Sequence, residues 1–190
     1  MIQLKIIIGS TRTGRKGPSM AAWITGVAQR EKEFAVELID LAEVNLPMLD
    51  EPNHPRLKQY QHEHTKKWSA LIDSSDAFIF VTPEYNYSYP AALKNAVDFV
   101  FHEWSYKPAA FVSYGGIAAG TRSVEALKKV FSPMKMVPLP EAVHIPFFTK
   151  HIDDNGIFHP TEEMEKSAAA MMKELLFWAQ GLKAMRAGKN

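Results

Sequence analysis

The 190-residue sequence predicts an α/β fold, a single domain spanning residues 1–190 in which helices cover both faces of a parallel sheet. Three observations carry that expectation. Five short apolar runs recur along the chain, the intervals between them carry helical periodicity, and runs two to four are dense in Val, Ile, Phe and Leu, as strands covered on both faces are.

The runs are "LKIIIG" (4–9), "AVELIDL" (35–41), "AFIFVT" (77–82), "AAFVSY" (109–114) and "MVPLPEAVHI" (136–145). Pro138 and Pro140 cannot donate to a ladder, so the fifth run suits an edge. After the first run, Met20, Trp23, Ile24 and Val27 recur at helix spacing. Trp68, Leu71 and Ile72 form a helix face before the third run. Pro90 is placed to open a helix whose Leu93, Ala96, Val97 and Val100 share one side. Val124, Leu127, Val130 and Phe131 repeat the pattern after the fourth run. Thr161 reads as the N-cap of a last helix, with Glu162 and Glu163 in its first turn and an apolar stripe of Met164, Ala168, Met171, Leu175 and Leu182. The Met-rich character of that helix, Met172 and Met185 included, reads as core packing. Residues 42–61, with three prolines and no period, read as a long ordered loop.

Composition removes several function classes. A net charge of +1 provides no bulk drive toward nucleic acid or anionic membrane. The chain has no cysteine, which excludes disulfides, thiolate nucleophiles and cysteine-bound metal clusters. The longest stretch without Asp, Glu, Lys or Arg is 108–121, too short and too glycine-rich to span a bilayer, and the N-terminus lacks the features of a signal peptide. A cytoplasmic location is the resulting expectation.

In such a sheet, ligands bind at the C-terminal ends of the strands. Three loops fall there. "GSTRTGRKGPSMAAW" places hydroxyls, glycines, Arg12 and Arg15 before a helix N-terminus, the makings of a phosphate site. It lacks both the Walker A lysine–hydroxyl pair and the G-x-G-x-x-G spacing, which leaves a monophosphate loop or a solvated basic turn. "PEYNYSYP" (83–90) has backbone groups with no ladder to join and three tyrosines able to wall a flat ring; packing against the core or another subunit is the competing role for those tyrosines. "SYGGIAAGTRS" has Gly115 and Gly116 for close backbone approach, ahead of another helix N-terminus. One phosphate and a flat ring with a polar edge describe flavin mononucleotide (FMN), a cofactor that carries its own redox chemistry.

The strings "GSTRTGRKGP", "TPEYNYSYPAALKNAVD" and "HEWSYKPAAFVSYGG" resemble the NAD(P)H-dependent FMN reductases, a family that includes quinone, azo-dye and chromate reductases. Through "PAALKNA", "HEW" and "VSYGG" the resemblance is nearest to the yeast-type members, and it covers roughly residues 3–145. It implies a flavodoxin-like three-layer sandwich with strand order 2-1-3-4-5, non-covalent FMN, NADPH or NADH as co-substrate, and homodimers that can pair into tetramers. It also implies that Ser10, Arg12 and Arg15 bind the phosphate. Pro83, Glu84, Tyr85, Asn86 and Tyr87 would then line the isoalloxazine, and Tyr114, Gly115 and Gly116 would face its pyrimidine end. Many relatives carry a further Gly-Gly pair where Ile117, Ala118, Ala119 and Gly120 stand here. The implied reaction is ping-pong hydride transfer from NAD(P)H through flavin N5 to a quinone or similar acceptor, with no catalytic side chain required. An FMN-binding electron carrier and a redox-sensing interaction protein are the alternatives.

Other chemistry-bearing residues fit no motif. His54, His62 and His64 lack the spacing of a metal site and read as solvated. "HEWSY" has Tyr106 where a zinc protease needs its second histidine. Trp104 is a candidate to cover the flavin or meet a partner subunit.

Overall fold

The computed structural model describes residues 1–188. Its sheet has five parallel strands in the order β2-β1-β3-β4-β5, with β1 Ile2–Ile8, β2 Phe34–Asp40, β3 Ala77–Pro83, β4 Pro108–Tyr114 and β5 Val137–Ile145. Every residue of β3 and β4 is buried, whereas β2 and β5 form the two edges and are only partly buried, so the second apolar run, with Leu38 exposed, is not the doubly covered strand its composition suggested. The helices are α1 Gly17–Gln29, α2 Leu41–Val44, α3 Glu63–Asp73, α4 Ala91–Asp98, α5 Thr121–Phe131 and α6 Glu162–Ala187.

Strand alternation divides the core into two layers. Leu4, Ile6, Ile8, Ile79, Val81, Ala110 and Val112 face α1 and α6, while Ile7, Phe78, Phe80, Ala109 and Phe111 face α3, α4 and α5. The second layer is largely aromatic, with Phe80 5.0 Å from Phe131 and Phe78 5.0 Å from Trp104 between ring centroids. Trp104 is fully buried and donates its indole N–H to the Val97 carbonyl at 3.0 Å. It is a core residue ahead of β4, so the expectation that it covers a flavin or meets a partner is corrected. Met164, Met171 and Met172 are core as expected, but Met185 is 45% exposed because it stands with Phe177 and Trp178 on the outward side of α6.

Pro90 opens α4 from the N-cap position, and Val100 lies beyond the helix end yet remains buried. Segment 42–61 begins with the last turn of α2 and is otherwise irregular apart from one turn at Pro55–Leu57. Side chains fix it in place. Asn95 accepts from the Leu49 N–H at 2.9 Å and donates to the Pro47 carbonyl at 2.7 Å, while Glu51 accepts the Gln61 and His62 N–H groups. His62 precedes α3 and stacks on His64, whose Nε2 meets Asp50 at 2.9 Å. No group of metal-ligating side chains forms among the described residues, and no described helix is long and apolar enough to cross a membrane.

The chain runs from β1 outward to β2 and then back past β1 to β3. The winding therefore reverses between β1 and β3, with α1 on one face and α4 on the other. The crevice of the fold lies at that reversal.

Candidate functional site

The loop after β1 forms one wall of the crevice. Gly9 donates to the Val81 carbonyl at 2.9 Å, which seats the loop on β3, and a Cβ there would lie 2.9 Å from Leu93 of α4. Beyond it the backbone opens. Among the described residues, the N–H groups of residues 10–14 have no hydrogen-bond partner, and the first recorded bond of the loop runs from Arg15 N–H back to the Arg12 carbonyl. They lie just ahead of α1, which has no side-chain cap and no acidic residue in its first turn. Unpaired N–H groups at the positive end of a helix dipole are a seat for an anion.

The three residues expected to bind phosphate have different surroundings. Ser10 is fully buried, its Oγ 2.7 Å from the Tyr85 hydroxyl, and this bond ties the first loop to the second across the crevice. With Tyr85 as donor, the Ser10 O–H remains available to a ligand. Arg12 is exposed, with no ion pair among the described residues. Arg15 instead pairs with Asp40 at 2.5 Å, and the second Asp40 oxygen caps α2 through the Ala42 N–H. Asp40 was not foreseen, because nothing local marks a carboxylate 25 residues away as the partner of Arg15.

The loop after β3 corrects one expectation. Its backbone is partly self-satisfied: Tyr85 N–H donates to the Ser88 carbonyl at 2.8 Å and Ser88 N–H returns to Tyr85 at 2.9 Å. The two central residues, Asn86 and Tyr87, have φ of +48° and +70°, as in a primed hairpin turn. Asn86 tolerates this conformation, but a tyrosine rarely adopts it. The N–H groups of Glu84, Asn86 and Tyr87 have no partner among the described residues. Pro83 ends β3 within the ladder.

Glu84 is held by Arg122, which the sequence reading missed. An Arg122 Nη2 lies 2.5 Å from Glu84 Oε1, the Arg122 N–H donates to Oε2 at 3.3 Å, and the guanidinium lies 3.7 Å from the Tyr87 ring centroid. "GTRS", an arginine in the first turn of α5 behind a glycine, was the available signal.

In the third loop Gly115 and Gly116 follow the C-terminal end of β4, the strand beside β3, but the side chain of Tyr114 turns away to the α1–α6 face. Tyr114 shares a strand face with Ala110 and Val112, packs edge-on against Phe148, and places its hydroxyl against Gly17 at the start of α1. Burial, with the nearby Tyr85, holds its phenol well above the ordinary value, so it remains neutral. A role at the pyrimidine end is left only to its backbone; its side chain braces the start of α1. The loop is shaped by Ser113, whose Oγ donates to the Ala119 carbonyl at 2.8 Å and contacts His144 Nδ1 at 2.7 Å. With the serine hydrogen committed to Ala119, the histidine is the donor. Gly115 itself is bonded on both sides, its N–H to Ile145 and its carbonyl from Phe148.

The sequence pattern of the NADPH-dependent FMN reductase family matches residues 2–150. An NAD(P)H-dependent FMN reductase of Schizosaccharomyces pombe is 38% identical over 90% of this chain and 86% of its own length. A quinone reductase of Pseudomonas putida is 31% identical over 72% of this chain and 74% of its own. Among solved structures, the NAD(P)H:acceptor flavoenzyme FerB of Paracoccus denitrificans superposes with a TM-score of 0.74 at 23% identity, covering 95% of this chain and 98% of that one, and so shows the shared fold. With the family's pattern running through all three crevice loops, the chain belongs to the NADPH-dependent FMN reductase family.

Proposed function

We propose that this protein binds FMN in the β1–β3 crevice and uses it to pass hydride from NAD(P)H to quinones or similar acceptors in a ping-pong cycle. The observation that carries the reading is the set of unpaired N–H groups at residues 10–14, just ahead of an uncompensated helix N-terminus, in a loop tied to the turn at 84–88 by the Ser10–Tyr85 bond. Relatives named as FMN reductases and quinone reductases support it.

The residues present fit the cofactor. The N–H groups of 10–14, the Ser10 hydroxyl and Arg12 would hold the phosphate. Arg15 would contribute a guanidinium already steered by Asp40. Pro83, Glu84, Tyr85, Asn86 and Tyr87 would flank the ring through backbone groups, and Gly116, with open space where a Cβ would stand, would leave room at its far end, while Gly115 packs against Gly120 of its own loop. When bound, such a cofactor supplies hydride acceptance from a nicotinamide and delivery to a second substrate. The chain supplies position and electrostatics. Tyr85 fixes the spacing of the first two loops through Ser10, and Tyr114, neutral and buried, keeps the start of α1 in place. No side chain is assigned a proton-transfer step.

The test is an FMN titration of the apo-protein, with riboflavin as the control lacking phosphate, followed by anaerobic NADPH and NADH. The expected result is FMN binding at least tenfold tighter than riboflavin, a difference of about 1.4 kcal/mol. Rapid bleaching of the flavin bands by reduced nicotinamide and their return with a quinone should follow. Parallel lines in initial-rate plots would then support the shared, alternating site. Tight FMN left oxidised by both nucleotides would favour an electron carrier. Absence of FMN binding would refute the reading.

A further inference from the structure

We propose that Arg122 is a positioning residue for the flavin seat: it clasps the 84–88 turn to the third loop and cancels the charge of Glu84 beside the ring. The proposal rests on the FMN reading above.

The turn needs an external support. Two adjacent non-glycine residues have positive φ, and Tyr87 is of a type that seldom adopts such backbone angles. Conformations of this kind persist only where their surroundings over-determine them, and they collect at ligand clamps. Its own two backbone bonds, Tyr85 to Ser88 and back, close the turn but do not aim it. Tyr87 is 71% exposed, so no core packing holds the ring.

Arg122 supplies the missing support from three directions. Its side chain and its own backbone N–H both grip Glu84, the residue that enters the turn, and its guanidinium lies against the ring of Tyr87, a residue at the tip. An arginine can do this because its fork is planar and can pair and stack at once. The arrangement carries a cost that marks it as positional: Arg122 Nε is buried without a partner. Arg122 itself is anchored, since it stands in the first turn of α5 next to the left-handed pair Ala119 and Gly120, which Ser113 fixes to β4. The clasp therefore joins the two loops that would flank the ring, independently of the Ser10–Tyr85 bond that joins the first two loops.

The charge cancellation has a consequence of its own. Hydride arrival places negative charge on a bound flavin, and an uncompensated Glu84 carboxylate nearby would oppose it. Paired with Arg122, the ring end of the crevice is neutral, while the unpaired Arg12 stays at the phosphate end.

The experiment compares wild type with Arg122→Ala, Arg122→Lys, Glu84→Gln and the double variant Arg122→Ala/Glu84→Gln. FMN dissociation constants are read by flavin fluorescence, two-electron midpoint potentials by equilibration with reference dyes, and apo-protein thermal midpoints serve as the folding control. Arg122→Ala and Glu84→Gln should each weaken FMN about tenfold, equal to about 1.4 kcal/mol. The double variant should lose no more than the worse single one, and Arg122→Lys should fall between it and wild type. The potentials should move in opposite directions, down in Arg122→Ala and up in Glu84→Gln. That split separates positioning and charge cancellation from a general loss of fold. Unchanged or additive FMN affinities, or potentials shifting the same way, would overturn the clasp. If Arg122→Ala does not fold, Glu84→Gln and Arg122→Lys still decide it. Wild-type protein that fails to bind FMN refutes the functional reading and the clasp together, whereas normal wild-type binding with unaffected variants refutes the clasp alone.

Discussion

Replacing Gly120 by alanine tests whether the third loop is fixed by backbone geometry. Gly120 is the N-cap of α5 and has φ +78°. An L-residue in that conformation costs about 1–2 kcal/mol relative to glycine. The new Cβ would also lie 2.8 Å from Tyr114 N, 2.9 Å from Ser113 Cβ and 2.9 Å from Tyr114 O. All three belong to β4, a strand buried along its whole length, so the loop must yield instead of the strand. Overpacking of this kind costs about 1–3 kcal/mol. The two contributions together predict a loss of about 3 kcal/mol, or roughly 6–12 °C in thermal midpoint for a domain of this size. Gly116, four residues earlier, has no atom within 4 Å of an added Cβ and no positive φ. Gly116→Ala should therefore leave apo stability within about 0.5 kcal/mol of wild type, while weakening FMN if the ring approaches that backbone. Denaturant unfolding of the two apo variants is the assay. A Gly120→Ala protein as stable as Gly116→Ala would refute the account of the loop.

Arg12→Ala should weaken FMN about 10–100-fold, the value of hydrogen bonds to a charged group, and leave riboflavin affinity nearly unchanged; equal losses for both ligands would remove Arg12 from the phosphate site. Asp76 is buried, which alone would raise its carboxyl, but the Gln3 N–H, Lys183 and Arg186 outweigh burial and hold it below its ordinary 3.8. Its contribution is then fully present above that value and lost as pH falls through the folded one, so Asp76→Asn should be destabilised by about 3 kcal/mol at neutral pH and converge on wild type in strong acid, as acid-unfolding curves would show. Lys107 donates to the Ile72 and Asp73 carbonyls at the end of α3, and burial pushes its ammonium down to about 8 against a partial rise from Asp73. Between about pH 8 and 10 the unfolded chain binds a proton that the folded one has released, so stability should rise there in wild type relative to Lys107→Met. Denaturant midpoints across that range test it.

Some of this was legible because the physics is local. Runs buried on both faces are apolar throughout, and β3 and β4 show it residue by residue. Pro138 and Pro140 placed β5 at an edge, where the structure has it. The orientation of Tyr114 was also readable: period-two alternation puts it with Ala110 and Val112, on the face that packs α1 and α6, so its side chain could not also line the crevice. Other features depend on partners distant in sequence. Arg15–Asp40 and Arg122–Glu84 span 25 and 38 residues, and the hydroxyl pair Ser10–Tyr85 spans 75. Trp104 looked like a site residue because of the string around it, yet the turn carrying it precedes β4, at the N-terminal end of the strands and so opposite the crevice.

The two longest helices show where the chain departs from its own rules. α6 opens as an isolated helix should, with Thr161 accepting the Met164 N–H and three glutamates in the first turn. α1 opens the opposite way: no cap bond, no acid, and Arg12, Arg15 and Lys16 just ahead of the dipole's positive end, where cations are disfavoured. Stability does not explain that choice, because a single aspartate at position 16 would relieve both faults. Tertiary burial of Met20, Ala21, Ile24 and Ala28 holds α1 in place regardless. Asp40 compensates Arg15 from β2, outside the helix, and so leaves the helix end itself open. A local rule broken at one helix start and kept at the other, in the same chain, places the unmet electrostatic demand at the crevice. An anion arriving there meets donors that have no competing partner, and its charge offsets the repulsion between Arg12, Arg15, Lys16 and the helix end.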